Sequence, residues 1–222
     1  MSTLKPKFIT FDCYGTLTRF QMGELSREIL AGQLEPAAIE AFIKDFTAYR
    51  LDEVLGPWKP YSEVIVNAWE RTCRKYKVPF KRTDGLRFYH AVPTWTPHED
   101  VPIGLSKAAK EFPLVGLSNA SNDQIMTNVG MYGAPFHAVY TAQMAQAYKP
   151  RMQAFEYMFD MLGCNPEDVL HVSSSLRYDL QTAYDMRIGA RCHVQRGHEP
   201  TNMFYVTHTI KDISGLPGLL GL

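Results

Sequence analysis

Phe8-Ile9-Thr10-Phe11-Asp12-Cys13-Tyr14-Gly15-Thr16-Leu17 is the stretch that decides the fold. Its first four residues are apolar, aromatic or β-branched, the composition of a short strand buried in a parallel sheet. The run stops on a carboxylate and a glycine turn. Asp12 therefore stands at the carboxyl edge of a sheet, where open α/β folds place their chemistry. Alternation along a strand turns the neighbouring thiol, Cys13, to the opposite side.

Strand-like sequence returns only in the second half of the chain. Leu114-Val115-Gly116-Leu117 reads as a strand and Asn122 to Met131 as a helix. Ala138-Val139-Tyr140 and Met152 to Leu162 repeat the pattern, as do Val169-Leu170-His171-Val172 and Leu176 to Met186, before a last strand at Ala190 to Val194. Alternating strands and helices build a parallel sheet covered on both faces. Phe8–Phe11 must join that sheet, because alone it has no partner. Between the two parts lies helical periodicity. Ile39, Phe42, Ile43, Phe46 and Tyr49 recur at three- and four-residue steps after the start signal Glu35-Pro36. A second helix is expected from about Tyr61 to Lys75 and a third, weaker one near Leu86 to Val92, with Gly56-Pro57 and Lys59-Pro60 as breaks. The polar, proline-rich segment Thr96 to Pro102 closes the block. The expected fold class is α/β: a Rossmann-like core from 1–18 and 98–222, with an all-helical cap inserted at 19–97 over the strand ends.

Composition excludes more than it assigns. Of the 222 residues 45% are hydrophobic and 21% charged, and Lys+Arg and Asp+Glu are both 23, so a nucleic-acid or membrane partner has no electrostatic support. The basic residues Arg71, Arg74, Lys75, Lys77, Lys81 and Arg82 alternate with apolar ones, as on a solvated helix face. Cys13, Cys73, Cys164 and Cys192 form no CxxC pair and read as reduced thiols. There is no apolar targeting segment at the N-terminus and no run long enough to span a bilayer, so the expectation is a soluble cytoplasmic protein. His98-Glu99-Asp100 reads as a hinge rather than a metal site, and His171 as a satisfied buried imidazole.

Four groups of reactive side chains fall at predicted strand ends. They are Asp12 with Thr16, Ser118-Asn119, Tyr148-Lys149-Pro150, and Ser173-Ser174-Ser175 followed by Asp179. A carboxylate that attacks saturated carbon must be ionised and held in line, and a nearby lysine keeps it so. Ser118 and Asn119 offer a hydroxyl, an amide and helix-start N–H groups suited to a substrate carboxylate, and suit helix capping as well. Asp179 is a partner for Lys149 or for water, or a first-turn carboxylate favoured by the helix dipole.

This set resembles the haloacid dehalogenase superfamily and, over nearly the whole chain, its type II 2-haloacid dehalogenase branch. The resemblance implies a cofactor-free hydrolase, commonly a homodimer, with Asp12, Thr16, Lys149 and Asp179 catalytic. Tyr14, Ser118, Asn119, Ser173, Ser174, Ser175, Arg50 and Arg19 are the substrate-side candidates. The family's phosphatases carry a second aspartate two residues after the first, to protonate an alkoxide. Here that position is Tyr14, which points to displacement at carbon.

Three departures bear on the substrate. The branch carries an asparagine in the loop that here reads Ser173-Ser174-Ser175, and the distance to the acid is one residue longer. The cap arginine that receives a halide is replaced by Phe42-Ile43-Lys44, so that either Arg50, about two turns later, or Arg19 substitutes, or there is no halide to receive. The tyrosine after the lysine corresponds to Phe155, and Tyr157 is out of register.

The expected reaction is hydrolysis of a small 2-substituted carboxylate through an aspartyl ester, giving a 2-hydroxy acid with halide as leaving group. L-Azetidine-2-carboxylate is the alternative substrate, since its ring nitrogen is already protonated and cap aromatics could face an ammonium. A phosphatase would need Mg²⁺ at Asp12, the Tyr14 carbonyl and Asp179. A non-catalytic binding protein is the remaining class, and the joint presence of Asp12, Thr16, Lys149 and Asp179 argues against it.

Overall fold

The computed structural model describes residues 4–222, which divide into two compact units, one formed by the chain up to Arg19 with Thr96–Leu222 and the other by Phe20–Trp95. The first unit is a six-stranded sheet with every pairing parallel, in the order β3-β2-β1-β4-β5-β6. The strands are β1 (Phe8–Phe11), β2 (Leu114–Ser118), β3 (Ala138–Thr141), β4 (Val169–Ser173), β5 (Ala190–Val194) and β6 (His208–Ile210). The chain builds outward from β1 on one side and then crosses to β4 on the other. The strand order reverses between β1 and β4, and side chains just beyond their carboxyl ends share one crevice.

Period-two alternation divides the sheet residues between two covering layers. Ile9, Phe11, Leu114, Leu170, Val172, Cys192 and Val194 pack beneath α5 (Asp100–Ala108) and α10 (Leu216–Leu220). Val115, Leu117 and Val169 pack on the opposite face against α8 (Met152–Leu162) and α9 (Gln181–Asp185). Thr10 and His171 are register partners across β1 and β4. They share the α8 face, where the Phe155 ring meets the His171 ring at 5.4 Å. Asp12 lies two residues after Thr10 and emerges on that same face.

Several elements extend the sequence reading. Helix α5 begins inside the segment read as a polar connection, because Pro102 falls in its first turn, where no N–H is needed. The segment predicted as one helix from Leu176 opens with a π-helical turn, Leu176–Leu180, before α9. The C-terminal apolar tail forms α10, and Leu216 and Leu220 bury themselves in their own core.

The second unit holds α1 (Met22–Leu30), α2 (Pro36–Leu55), α3 (Tyr61–Tyr76) and α4 (Arg82–Ala91). Trp69 on α3 is its centre, with Phe42 at 4.9 Å, Phe88 at 5.0 Å and Phe46 at 5.3 Å between ring centroids. Gly85 lets α4 approach α3, since a Cβ there would lie 3.1 Å from Val66. Burying rings of this size contributes roughly 1.5–3 kcal/mol each, so the aromatic cluster accounts for much of this unit's cohesion. The chain leaves and re-enters the sheet unit at one place. Thr18 bridges Pro97, and the Arg19 N–H donates to the Thr96 carbonyl at 3.0 Å. Among the described residues no helix is long and apolar enough to cross a membrane.

Candidate active site

Asp12 directly follows β1, with both carboxylate oxygens held. The Lys149 ammonium donates to Oδ1 at 2.9 Å and the Thr16 hydroxyl donates to Oδ2 at 2.6 Å. Lys149 donates as well to Asp179 Oδ1 at 2.8 Å, so one buried ammonium bridges two carboxylates. Asp12 retains 8% exposure, whereas Lys149 and Asp179 are sealed. Of the three charges, only the proposed nucleophile reaches solvent.

The electrostatics follow from that burial. Desolvation pushes the Asp12 carboxyl up from the ordinary aspartate value, against the opposing pull of Lys149 and Thr16, and the Asp179 charge adds to the rise. Burial works against Asp179 too, but the Lys149 charge and the His171 hydrogen bond outweigh it and hold that carboxyl below its ordinary value. Burial disfavours the Lys149 ammonium, yet Asp12 and Asp179 together raise it above ordinary lysine. The cluster therefore joins an ammonium favoured by two carboxylates to one carboxyl, Asp179, held toward its charged form and another, Asp12, that needs less acid to protonate than an ordinary aspartate.

Each partner is fixed by its own strand end. Asn119, after β2, holds Lys149 by its main chain. Its Oδ1 accepts from the Lys149 N–H at 2.8 Å and its Nδ2 donates to the Lys149 carbonyl at 2.9 Å. Asn119, expected to face the substrate, thus uses its amide to orient the lysine. The Ser118 hydroxyl is buried and accepts from the Ala120 N–H at 3.1 Å, the local capping arrangement.

The three serines separate by role. Ser173 accepts from the Ser175 N–H, and Ser175 caps the π-helical turn by accepting from the Tyr178 N–H. Ser174 reaches the loop that follows Asp12, its N–H donating to Thr16 Oγ1 at 2.8 Å and its hydroxyl lying 3.1 Å from that atom. In the π-helical turn the Leu180 N–H pairs with the Ser175 carbonyl and the Gln181 N–H with that of Leu176, both five residues back. Each such pair closes a turn one residue longer than an α-helical one.

Residues that the sequence reading did not assign to the site complete the support. Arg196 donates twice to the Thr16 carbonyl, at 3.0 and 3.1 Å, and pairs with Asp100 at 2.7 Å. Asp100, expected to be a hinge residue, therefore anchors Arg196 behind the Asp12–Thr16 loop. Glu199 receives the Ser175 hydroxyl and the N–H groups of Leu176 and Arg177. His171 donates through Nε2 to Asp179 Oδ1 at 3.0 Å, while Nδ1 lies 2.8 Å from Thr10 Oγ1. The reading of His171 as a satisfied imidazole holds, and its place against Asp179 is additional. Its sequence signal was its strand position, two residues before Ser173 on one face. Cys13 leaves on the other face, with its thiol pushed up to about 12 by burial.

Tyr14 donates its hydroxyl to Asn128 Oδ1 at 2.7 Å and so points along α6 (Asn122–Val129). Arg19 is exposed and pairs with Glu99 at 3.1 Å. Arg50 belongs to the helical unit. It is 6% exposed, with its guanidinium 4.9 Å from the Phe20 ring and 5.2 Å from that of Phe46. Tyr61 and Thr47 hydrogen-bond to it, its Nε has no partner, and no carboxylate pairs with it among the described residues. Lys149 occupies the position that bridges Asp12 and Asp179. Among the described residues, no group of three or more His, Cys, Asp or Glu side chains is placed to hold a metal.

No family model matches the chain. Haloacetate dehalogenase H-2 of Moraxella sp. (strain B) is 26% identical over 177 residues, covering 77% of this chain and 78% of that protein. Among solved structures, L-2-haloacid dehalogenase RSc1362 superposes with a TM-score of 0.82 at 19% identity, covering 99% of this chain and 100% of that one. The L-2-haloacid dehalogenase from Xanthobacter autotrophicus with chloropropionic acid covalently bound gives 0.78 at 19% identity, covering 97% and 98%.

Proposed function

We infer that this chain, a hydrolase belonging to the haloacid dehalogenase superfamily, displaces the leaving group of a small 2-substituted carboxylate at carbon 2 through an ester on Asp12. The observation that carries the reading is the pairing of Asp12 with a sealed lysine at one oxygen and a threonine hydroxyl at the other. An Asp12 oxygen forms the bond to carbon 2 as the carbon–halogen bond breaks and halide departs with its electron pair. Water then adds to the Asp12 carbonyl carbon and loses a proton. Cleavage of that carbon's ester bond releases the 2-hydroxy acid and restores the carboxylate. Halide leaves unprotonated, consistent with a tyrosine bonded to Asn128 where an alkoxide-directed acid would stand.

Arg50 is the candidate anion receptor of the helical unit. A buried guanidinium with no carboxylate is a costly arrangement unless an anion joins it. Phe20 and Phe46 already face its own charge, so neither is free as a cation–π partner for the ring amine of L-azetidine-2-carboxylate. Arg50→Leu is expected to raise KM for L-2-chloropropionate about 10- to 100-fold, the loss of one charge-assisted hydrogen bond. Arg50→Lys recovers only part of it, lacking the planar fork. Steady-state chloride release, with EDTA present, is the test. Retained activity in EDTA fits the carbon-directed reaction, whereas ring opening without chloride release transfers the reading to the azetidine substrate. Phosphate-ester hydrolysis lost in EDTA would overturn both.

A further inference from the structure

We propose that His171 is a positioning residue that keeps Lys149 on the nucleophile by engaging the competing carboxylate, Asp179; the proposal rests on Asp12 being that nucleophile. Two buried carboxylates draw on one ammonium, at 2.9 and 2.8 Å. Asp179 is fully enclosed, its Oδ2 has no partner, and Oδ1 accepts both Lys149 and the His171 Nε2 hydrogen. A carboxylate can only accept, so Nε2 carries a hydrogen in either protonation state of the ring. That donation offsets part of the Asp179 charge and fixes the rotation of its carboxyl group. Without it, the enclosed carboxylate would turn toward Lys149 and draw the ammonium away from Asp12.

The arrangement is built from the fold. Thr10 and His171 face each other in the β1–β4 register, so the hydroxyl 2.8 Å from Nδ1 sets the ring plane from the strand beside it. Phe155 closes the ring edge from α8. The π-helical turn supplies the other half, presenting Asp179 to β4 through its one extra residue. The charged or titratable groups facing this pair are Asp12 from β1 and Lys149 from the segment before α8, with Cys13 behind Asp12 on the other face. No substrate contact is assigned to His171.

His171→Phe should lower kcat about 10- to 100-fold with KM changed less than about twofold, as for removal of a supporting hydrogen bond behind a reactive group. His171→Gln, which keeps an N–H at the Nε2 reach, should recover most of kcat without restoring stability any further than Phe does. Equal kcat in the Phe and Gln variants would overturn the proposal. A second readout is independent of turnover. Nitrogen-15 NMR of the His171 ring should show a hydrogen-bonded Nε2–H proton that is displaced in Asp179→Asn, and its absence from the wild-type protein would also overturn the proposal. If that proton is present and neither carboxylate substrate is turned over, the proposed function fails while the positioning of Asp179 and Lys149 stands.

Discussion

Asp12→Asn is expected to abolish turnover of 2-haloacids, lowering kcat about 10⁴-fold or more, while leaving the protein folded. An amide oxygen has no formal charge to place on carbon 2, and the whole of the attacking group is lost. The fold should tolerate the change. Lys149 keeps its bond to Asp179, Thr16 keeps its bond to Ser174, and the removed charge is one that burial already disfavours. Unchanged thermal unfolding with no chloride release is the outcome to look for. Substantial residual turnover would mean that Asp12 assists another nucleophile.

Lys149→Met is expected to damage both activity and stability. Removing one partner of a buried charge cluster costs about 3–5 kcal/mol, because the remaining carboxylates are left enclosed without a counter-charge. Asp12 loses its largest lowering influence, so its carboxyl rises further and the acid limb of kcat/KM moves to higher pH. In the wild type Asp179 is depressed, so its contribution to stability is present above the unfolded carboxylate value and is lost as pH falls through the folded one. Lys149 is raised, so its contribution is full below the ordinary lysine value and is lost only as pH rises through the folded one. In the variant the two carboxylates bind protons more tightly folded than unfolded, so the deficit should be largest near pH 8 and shrink toward pH 5. Urea titrations at the two pH values test this. A deficit independent of pH would mean that Lys149 acts by packing alone.

The scaffold was legible wherever the chain carried a period. Phe8–Phe11 and the later strands are apolar, and the βα alternation left a parallel sheet as the one way to bury them. Apart from α1, which has a clear apolar face, the elements overlooked had masked or absent periods. Pro102 hides the start of α5, β6 is three residues long, and an i to i+5 turn has no residue signature. In the site, the reactive types at strand ends could be read, but their division of labour could not. Asn119 holds the Lys149 main chain and Ser174, among three adjacent serines, meets Thr16. Both are tertiary contacts to distant residues, which local composition does not encode. His171 looked inert because its satisfaction was visible from the apolar strand, while the identity of its partner depended on where the π-helical turn delivered Asp179.

The central claim, attack by Asp12 on carbon, is tested most directly by a single turnover of L-2-chloropropionate in ¹⁸O-labelled water with enzyme in excess. The ester route predicts lactate carrying unlabelled oxygen from the carboxylate and an Asp12 peptide heavier by about 2 Da, because water enters at the carboxyl carbon. Labelled lactate with an unlabelled Asp12 would contradict it, placing water itself on carbon 2.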